Sequence, residues 1–161
     1  MRAQVFAAAL AFAAALAIVF TGSAIAFAAT GVRAKPDLVV SSISNPPTVV
    51  FQGHAFQVRD RTRNRGRAAA GRAVTQYYLV SASTGASERV GRRSVPRLRP
   101  GQSSSGTGTA LALSSLELGT YSLMACGDGG RAVRESSERN NCRTAATKVV
   151  VKKSPLPPRP A

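Results

Sequence analysis

Tryptophan is absent from this 161-residue chain, and histidine occurs once, at His54. Aromatic residues make up 6% of it, so any core must be built from Val, Leu, Ile and Ala with a few Phe and Tyr. There are 2 cysteines, Cys126 and Cys142, and no C-x-x-C. A single distant histidine completes no zinc ligand set, so no metal is expected. Catalytic signals are missing too. Gly101-Gln102-Ser103-Ser104-Ser105-Gly106 lacks the glycine–serine–glycine spacing of a nucleophile elbow. Gly106-Thr107-Gly108 has Leu111 where a dinucleotide loop needs its third glycine. The reading is therefore of a non-enzyme that needs no cofactor.

Acidic side chains are also scarce, 7 against 22 Lys and Arg, for a formal charge of +15. Such a chain is drawn to polyanions, although an excess of arginine also keeps a domain soluble. Reader motifs and base-stacking aromatics among the arginines are lacking, which argues against sequence-specific nucleic-acid binding.

The N-terminus is expected to be a signal peptide over residues 1–29. Arg2 supplies the positive end, Val5 to Phe20 is unbroken apolar sequence, and Thr21-Gly22-Ser23 interrupts it. Ala24-Ile25-Ala26 and Ala26-Phe27-Ala28 both offer small residues at signal-peptidase spacing, which places cleavage near Ala28 or Ala29. The alternative is an uncleaved N-terminal anchor. In either case membrane contact is confined to this segment, and the body of the protein is expected outside the cytoplasm: secreted, periplasmic or at the cell surface. Loss of Arg2 with the signal leaves 21 basic and 7 acidic residues, a charge of +14.

Beyond the signal, no helix-length stretch shows apolar spacing of three and four. Short runs with Val and Thr alternate with Gly, Pro, Ser and Asn, which predicts an all-β sandwich of about seven strands. Strands are expected over residues 37–43, 56–64, 72–81, 89–95, 103–113, 121–128 and 142–151, with 48–51 a short edge segment. The inward face of residues 72–81 is ambiguous, because both parities carry apolar side chains. Four prolines between Pro155 and Pro160 make residues 152–161 an extended, disordered tail.

Two alternating runs flank a polar loop between Cys126 and Cys142, an arrangement that reads as a hairpin. Export places the thiols in an oxidising compartment, so the two are expected to form a disulfide that ties the loop shut. Asn140 and Asn141 tolerate left-handed backbone and suit the turn into the last strand.

These residues carry a resemblance. Pro36-Asp37-Leu38-Val39-Val40, Ser44-Asn45-Pro46-Pro47, Phe56-x-Val58-x-Asp60, Asn64-x-Gly66, Tyr77-Tyr78-Leu79, Pro100-Gly101 and Gly119-Thr120-Tyr121 follow one another in order. Asp128, Glu135, Glu138, Asn140 and Asn141 complete the series. In order and spacing the chain resembles the CARDB domain, the cell adhesion related domain found in bacteria, over residues 36–151. The resemblance implies an immunoglobulin-like sandwich on a secreted or surface protein, and a role in adhesion or in presenting other domains. It implies no catalytic residues. The partner is then a surface protein or a glycan.

One feature departs from that pattern. Arg59, Arg61, Arg63 and Arg65 alternate with Asp60, Thr62 and Asn64. In a strand the four guanidinium groups share one face, about 6.6 Å apart, with Phe56 and Val58 marking the other face as inner. The stripe is the candidate polyanion site, for acidic glycan, lipopolysaccharide or extracellular DNA. The plainer reading is a solvated face that discourages edge aggregation. Arg67, Arg72, Arg92, Arg93, Arg97 and Arg99 extend the patch if their strands neighbour it. Asp60 falls on the inward parity, where it needs a partner, an arginine or backbone donors, unless a bulge turns it to solvent. Asp128, Glu135 and Glu138 are expected to pair with Arg131, Arg134 and Arg139 rather than hold calcium. Tyr121 is expected to bond backbone near Leu118 as a tyrosine corner.

Overall fold

A computed structural model describes residues 33–155. The expected signal peptide, residues 1–29, and the tail beyond residue 155 lie outside the described residues. Eight strands follow in order: β1 (Leu38–Ile43), β2 (Val49–Phe51), β3 (Ala55–Asn64), β4 (Ala73–Ser81), β5 (Ser87–Val95), β6 (Ser103–Leu111), β7 (Gly119–Cys126) and β8 (Cys142–Lys152). Their hydrogen-bonded order is β1-β3-β6-β5-β4-β7-β8-β2. The ladder thins to a single pair, Gly91 with Ala110, where β5 meets β6. A Cβ on Gly91 would lie 2.2 Å from the Thr109 carbonyl oxygen, so only glycine permits that junction. There the ladder folds over on itself. The layer β1-β3-β6 faces the layer β5-β4-β7-β8-β2 in an immunoglobulin-like sandwich.

The short edge segment pairs in parallel with β8, Val50 opposite Val151. Val40, Phe56 and Val58 from one layer pack with Tyr77, Leu79, Leu123, Val149 and Val151 from the other. The ambiguity of β4 resolves in favour of Ala73, Thr75, Tyr77 and Leu79, all buried, while Val74, Gln76, Tyr78 and Val80 are half-buried. The β7–β8 ladder is interrupted. Between Ser122↔Lys148 and Met124↔Thr144 the register slips, and Ala145 to Thr147 bulge out. The Asn45 carboxamide oxygen accepts the Ala146 and Thr147 N–H groups at 3.1 and 3.2 Å, replacing the lost ladder bonds.

A charged group lies within this apolar sandwich. Asp60 on β3 is enclosed, and its carboxylate meets Arg93 of β5: Nε donates to Oδ1 at 2.7 Å and Nη2 to Oδ2 at 2.6 Å. Tyr77 donates its hydroxyl to Oδ1 at 2.6 Å, and Thr62 donates to Oδ2 at 3.3 Å while sharing a 2.7 Å bond with Thr75. The guanidinium also reaches the Ser104 hydroxyl and carbonyl, both at 3.2 Å. Hydrogen bonding to Asp60 raises the Arg93 pKa above the ordinary arginine value. Burial, with Asp60 second, raises the Tyr77 hydroxyl well above its ordinary range. Arg93 therefore does not extend the surface patch.

Two local features bring it inward. Register passes from Tyr77↔Gly91 to Tyr78↔Arg89, so Val90 is the extra residue of a bulge that resets the phase of β5. On intervening β6, a Cβ at Gly106 would meet the Arg93 side chain at 2.8 Å, and one at Gly108 would meet the Tyr77 ring at 2.5 Å. The two glycines open the passage through which Arg93 and Tyr77 reach Asp60.

Cys126 and Cys142 form a disulfide across the last registered pair of β7 and β8, 16 residues apart in sequence. Tyr121 donates its hydroxyl to the Glu117 carbonyl at 2.9 Å, a tyrosine corner one residue from the expected position.

Removing one partner of an enclosed ion pair strands the other. Asp60→Ala is therefore expected to lower the unfolding free energy in urea by about 3–5 kcal/mol, and the double variant Asp60→Leu/Arg93→Met to recover most of it. Replacing both cysteines by serine is expected to cost about 3 kcal/mol in the same measurement, from the freed loop entropy.

Candidate functional site

The stripe predicted on β3 is a face of the sandwich. Arg59, Arg61 and Arg63 are exposed, and Asp60, Thr62 and Asn64 between them are buried. Their neighbours across β6 are Thr107, Ser105 and Ser103, and Ser42 of β1 lies opposite Arg61. Arg65 lies past the end of β3, in the following loop. A groove of about 540 Å³ runs over this face, lined by Ser42, Ser44, Arg59, Arg61, Ser105 and Thr107, with Asp60 and Gly106 in its floor. The Ser44 hydroxyl is already engaged, accepting the Arg59 N–H at 3.0 Å. Among the described residues the only salt bridge is Arg93–Asp60, so these arginines carry no carboxylate partner. Their planar forks and the flanking hydroxyls are suited to grip carboxylate, sulfate or phosphate oxygens in pairs.

The acidic residues gather at the disulfide end of the sandwich, and their partners are not the predicted ones. Asp128 accepts the Ala132 and Val133 N–H groups at 3.0 and 2.8 Å. Glu135 accepts the Leu38 N–H at the start of β1 and the Asn141 amide at 2.9 Å. Glu138 accepts the Glu135 N–H at 3.1 Å. Asp128 and Glu135 are buried while Arg131, Arg134 and Arg139 are exposed, so backbone and amide donors satisfy the carboxylates instead of arginines. The left-handed residues of this loop are Asp128 and Arg131, at φ 47° and 51°, rather than Asn140 and Asn141. The Asp128 side chain holds that turn itself. Among the described residues no group of three or more His, Cys, Asp or Glu is placed to hold a metal ion.

A CARDB family profile matches residues 35–145. The chain belongs to the CARDB family. A CARDB domain of a Pyrococcus furiosus protein, solved in complex with di-metal ions, is 24% identical, covers 73% of this chain and 90% of that one, and superposes with a TM-score of 0.49. A domain of an inferred cell-surface protein of Methanosarcina acetivorans is 22% identical over 74% of this chain and 95% of that one, at a TM-score of 0.51. A β-glucosidase of Erythrobacter marinus is 16% identical over 73% of this chain but only 16% of the enzyme, at a TM-score of 0.49. A comparison with curated proteins finds no match.

Within this CARDB domain Glu135 is the group whose protonation matters. Burial, with Glu138 and Asp128 nearby, raises its carboxyl from 4.5 to about 7, against the lowering effect of its Leu38 and Asn141 bonds. A carboxyl raised on folding favours the acid form, so its contribution to stability is full below pH 4.5 and is lost as pH rises through about 7. The buried Asn141 Oδ1 has no partner. Chemical unfolding at a series of pH values is expected to show stability falling across that interval, and Glu135→Gln, which carries its own donor, to flatten the slope.

Proposed function

We propose that this CARDB domain is an extracytoplasmic, non-catalytic contact module that engages a surface glycan or protein. We further propose that the contact runs over the β1-β3-β6 face and selects anionic partners, acidic polysaccharide above all. The observation that supports this is the groove: Arg59 and Arg61, which have no salt bridge among the described residues, set among serine and threonine hydroxyls. The hydroxyl ladder of β6 favours a glycan, whose ring hydroxyls and acidic groups both find donors there. A neutral, apolar protein contact is the competing reading, and it predicts a different response to salt.

Binding to dextran sulfate, with neutral dextran as control, separates the two. Three arginine contacts are expected to make log affinity fall by about 2 to 3 for each tenfold rise in salt. Replacing Arg59, Arg61 and Arg63 by serine is expected to abolish retention without changing the unfolding midpoint. Equal retention by that variant, or retention indifferent to salt, removes the groove from the account.

A further inference from the structure

A second basic surface lies at the entry to β1 and shares no lining residue with the groove. It is a cleft of about 500 Å³ between the lead-in residues Arg33 and Lys35 and the loop residues Arg65 and Arg67, with Ser136 at its side. Its four basic side chains are exposed, and none has a salt bridge among the described residues. The one carboxylate in its wall, Asp37, receives Asn140 Nδ2 on both oxygens, at 3.0 and 3.3 Å.

The backbone around the cleft is fixed. Arg67 and Ala68 donate their N–H groups to the Lys35 carbonyl at 3.0 and 3.3 Å, and Arg65 donates to the Asp37 carbonyl at 2.7 Å. Asn64, fully buried, ties the pieces together from below. Its oxygen accepts the Asp37 and Gly66 N–H groups at 3.1 and 2.9 Å, and its nitrogen donates to the Ala68 and Leu98 carbonyls at 2.8 and 3.1 Å. Gly66 allows the two segments to touch: a Cβ there would lie 2.4 Å from the Lys35 oxygen and 2.6 Å from the Asp37 nitrogen. The backbone that carries Lys35, Arg65 and Arg67 is thus fixed before a ligand arrives.

We infer that this cleft is a discrete oxyanion site, taking one phosphate or sulfate ester group, with Arg65 and Arg67 from the loop and Arg33 and Lys35 from the lead-in as donors. A cluster of like charge lining a cleft focuses its field on a compact anion, and arginine forks match tetrahedral oxyanions in pairs. The inference shares with the groove only the sign of the ligand's charge, and it stands or falls without it.

The test is titration of the protein with inorganic phosphate and, separately, inorganic sulfate, followed by amide NMR shifts. Saturable shifts are expected at Gly66, Arg67 and Ser136. The Arg65→Ser/Arg67→Ser variant is expected to bind at least about tenfold more weakly, and Gly66→Ala, which keeps every charge but prises the segments apart, to lose saturation as well. The Arg59→Ser/Arg61→Ser/Arg63→Ser variant is expected to keep the full response, so that failure of the groove leaves the cleft standing. Preference between the two ions identifies the ester class. Shifts spread evenly over all exposed arginines, or a response unchanged in Arg65→Ser/Arg67→Ser, overturn the inference.

Discussion

Asp60 carries a charge at a place water does not reach, and its surroundings are arranged to meet that charge. An isolated carboxylate in an apolar interior is too costly to keep ionised, so its donors must be supplied from fixed positions. They come from three strands: Thr62 beside it on β3, Tyr77 on β4 and Arg93 on β5. β6 takes part by lacking side chains at Gly106 and Gly108. Sliding any of these strands by one residue turns every side chain to the opposite face and leaves the carboxylate bare. The ion pair thus fixes register across the junction of the two layers, where the backbone ladder itself narrows to one pair.

The same strand serves two surfaces. Because β3 alternates without interruption, enclosing Asp60, Thr62 and Asn64 puts Arg59, Arg61 and Arg63 outside. Asn64 then closes the strand and, through four hydrogen bonds, sets the course of both segments that wall the basic cleft. At the disulfide end the logic is similar, with buried carboxylates in place of a buried amide. Glu135 anchors the loop to the first residue of β1, and Asp128 shapes the loop's opening turn. Polar side chains inside the fold position the exposed ones.

Much of this was legible in residue order. Strand spans, the short edge segment and the outward parity of the arginines follow from alternation and turn residues, which are local properties. The tyrosine corner was legible to within one residue, because its partner lies only four positions away. The partner of Asp60 was not. Arg93 reads as one more surface arginine, since the Val90 bulge that turns it inward leaves no mark in a sequence of alternating residues. Gly106 and Gly108 read as a broken nucleotide loop, because the side chains they make room for come from β4 and β5. The acidic loop misleads for a related reason: opposite charges adjacent in sequence suggest salt bridges, but burial separates Asp128 and Glu135 from arginines that stay in solvent.

By itself the sequence determined the fold class and the excess of positive charge, which rest on periodicity and composition, and its motifs carried the resemblance to a known family. Only the tertiary structure decided which arginine is buried, which four basic residues converge on one cleft and which carboxylate is raised towards neutrality. Each of those depends on distances across strands and on access to water, and neither is encoded at any single position.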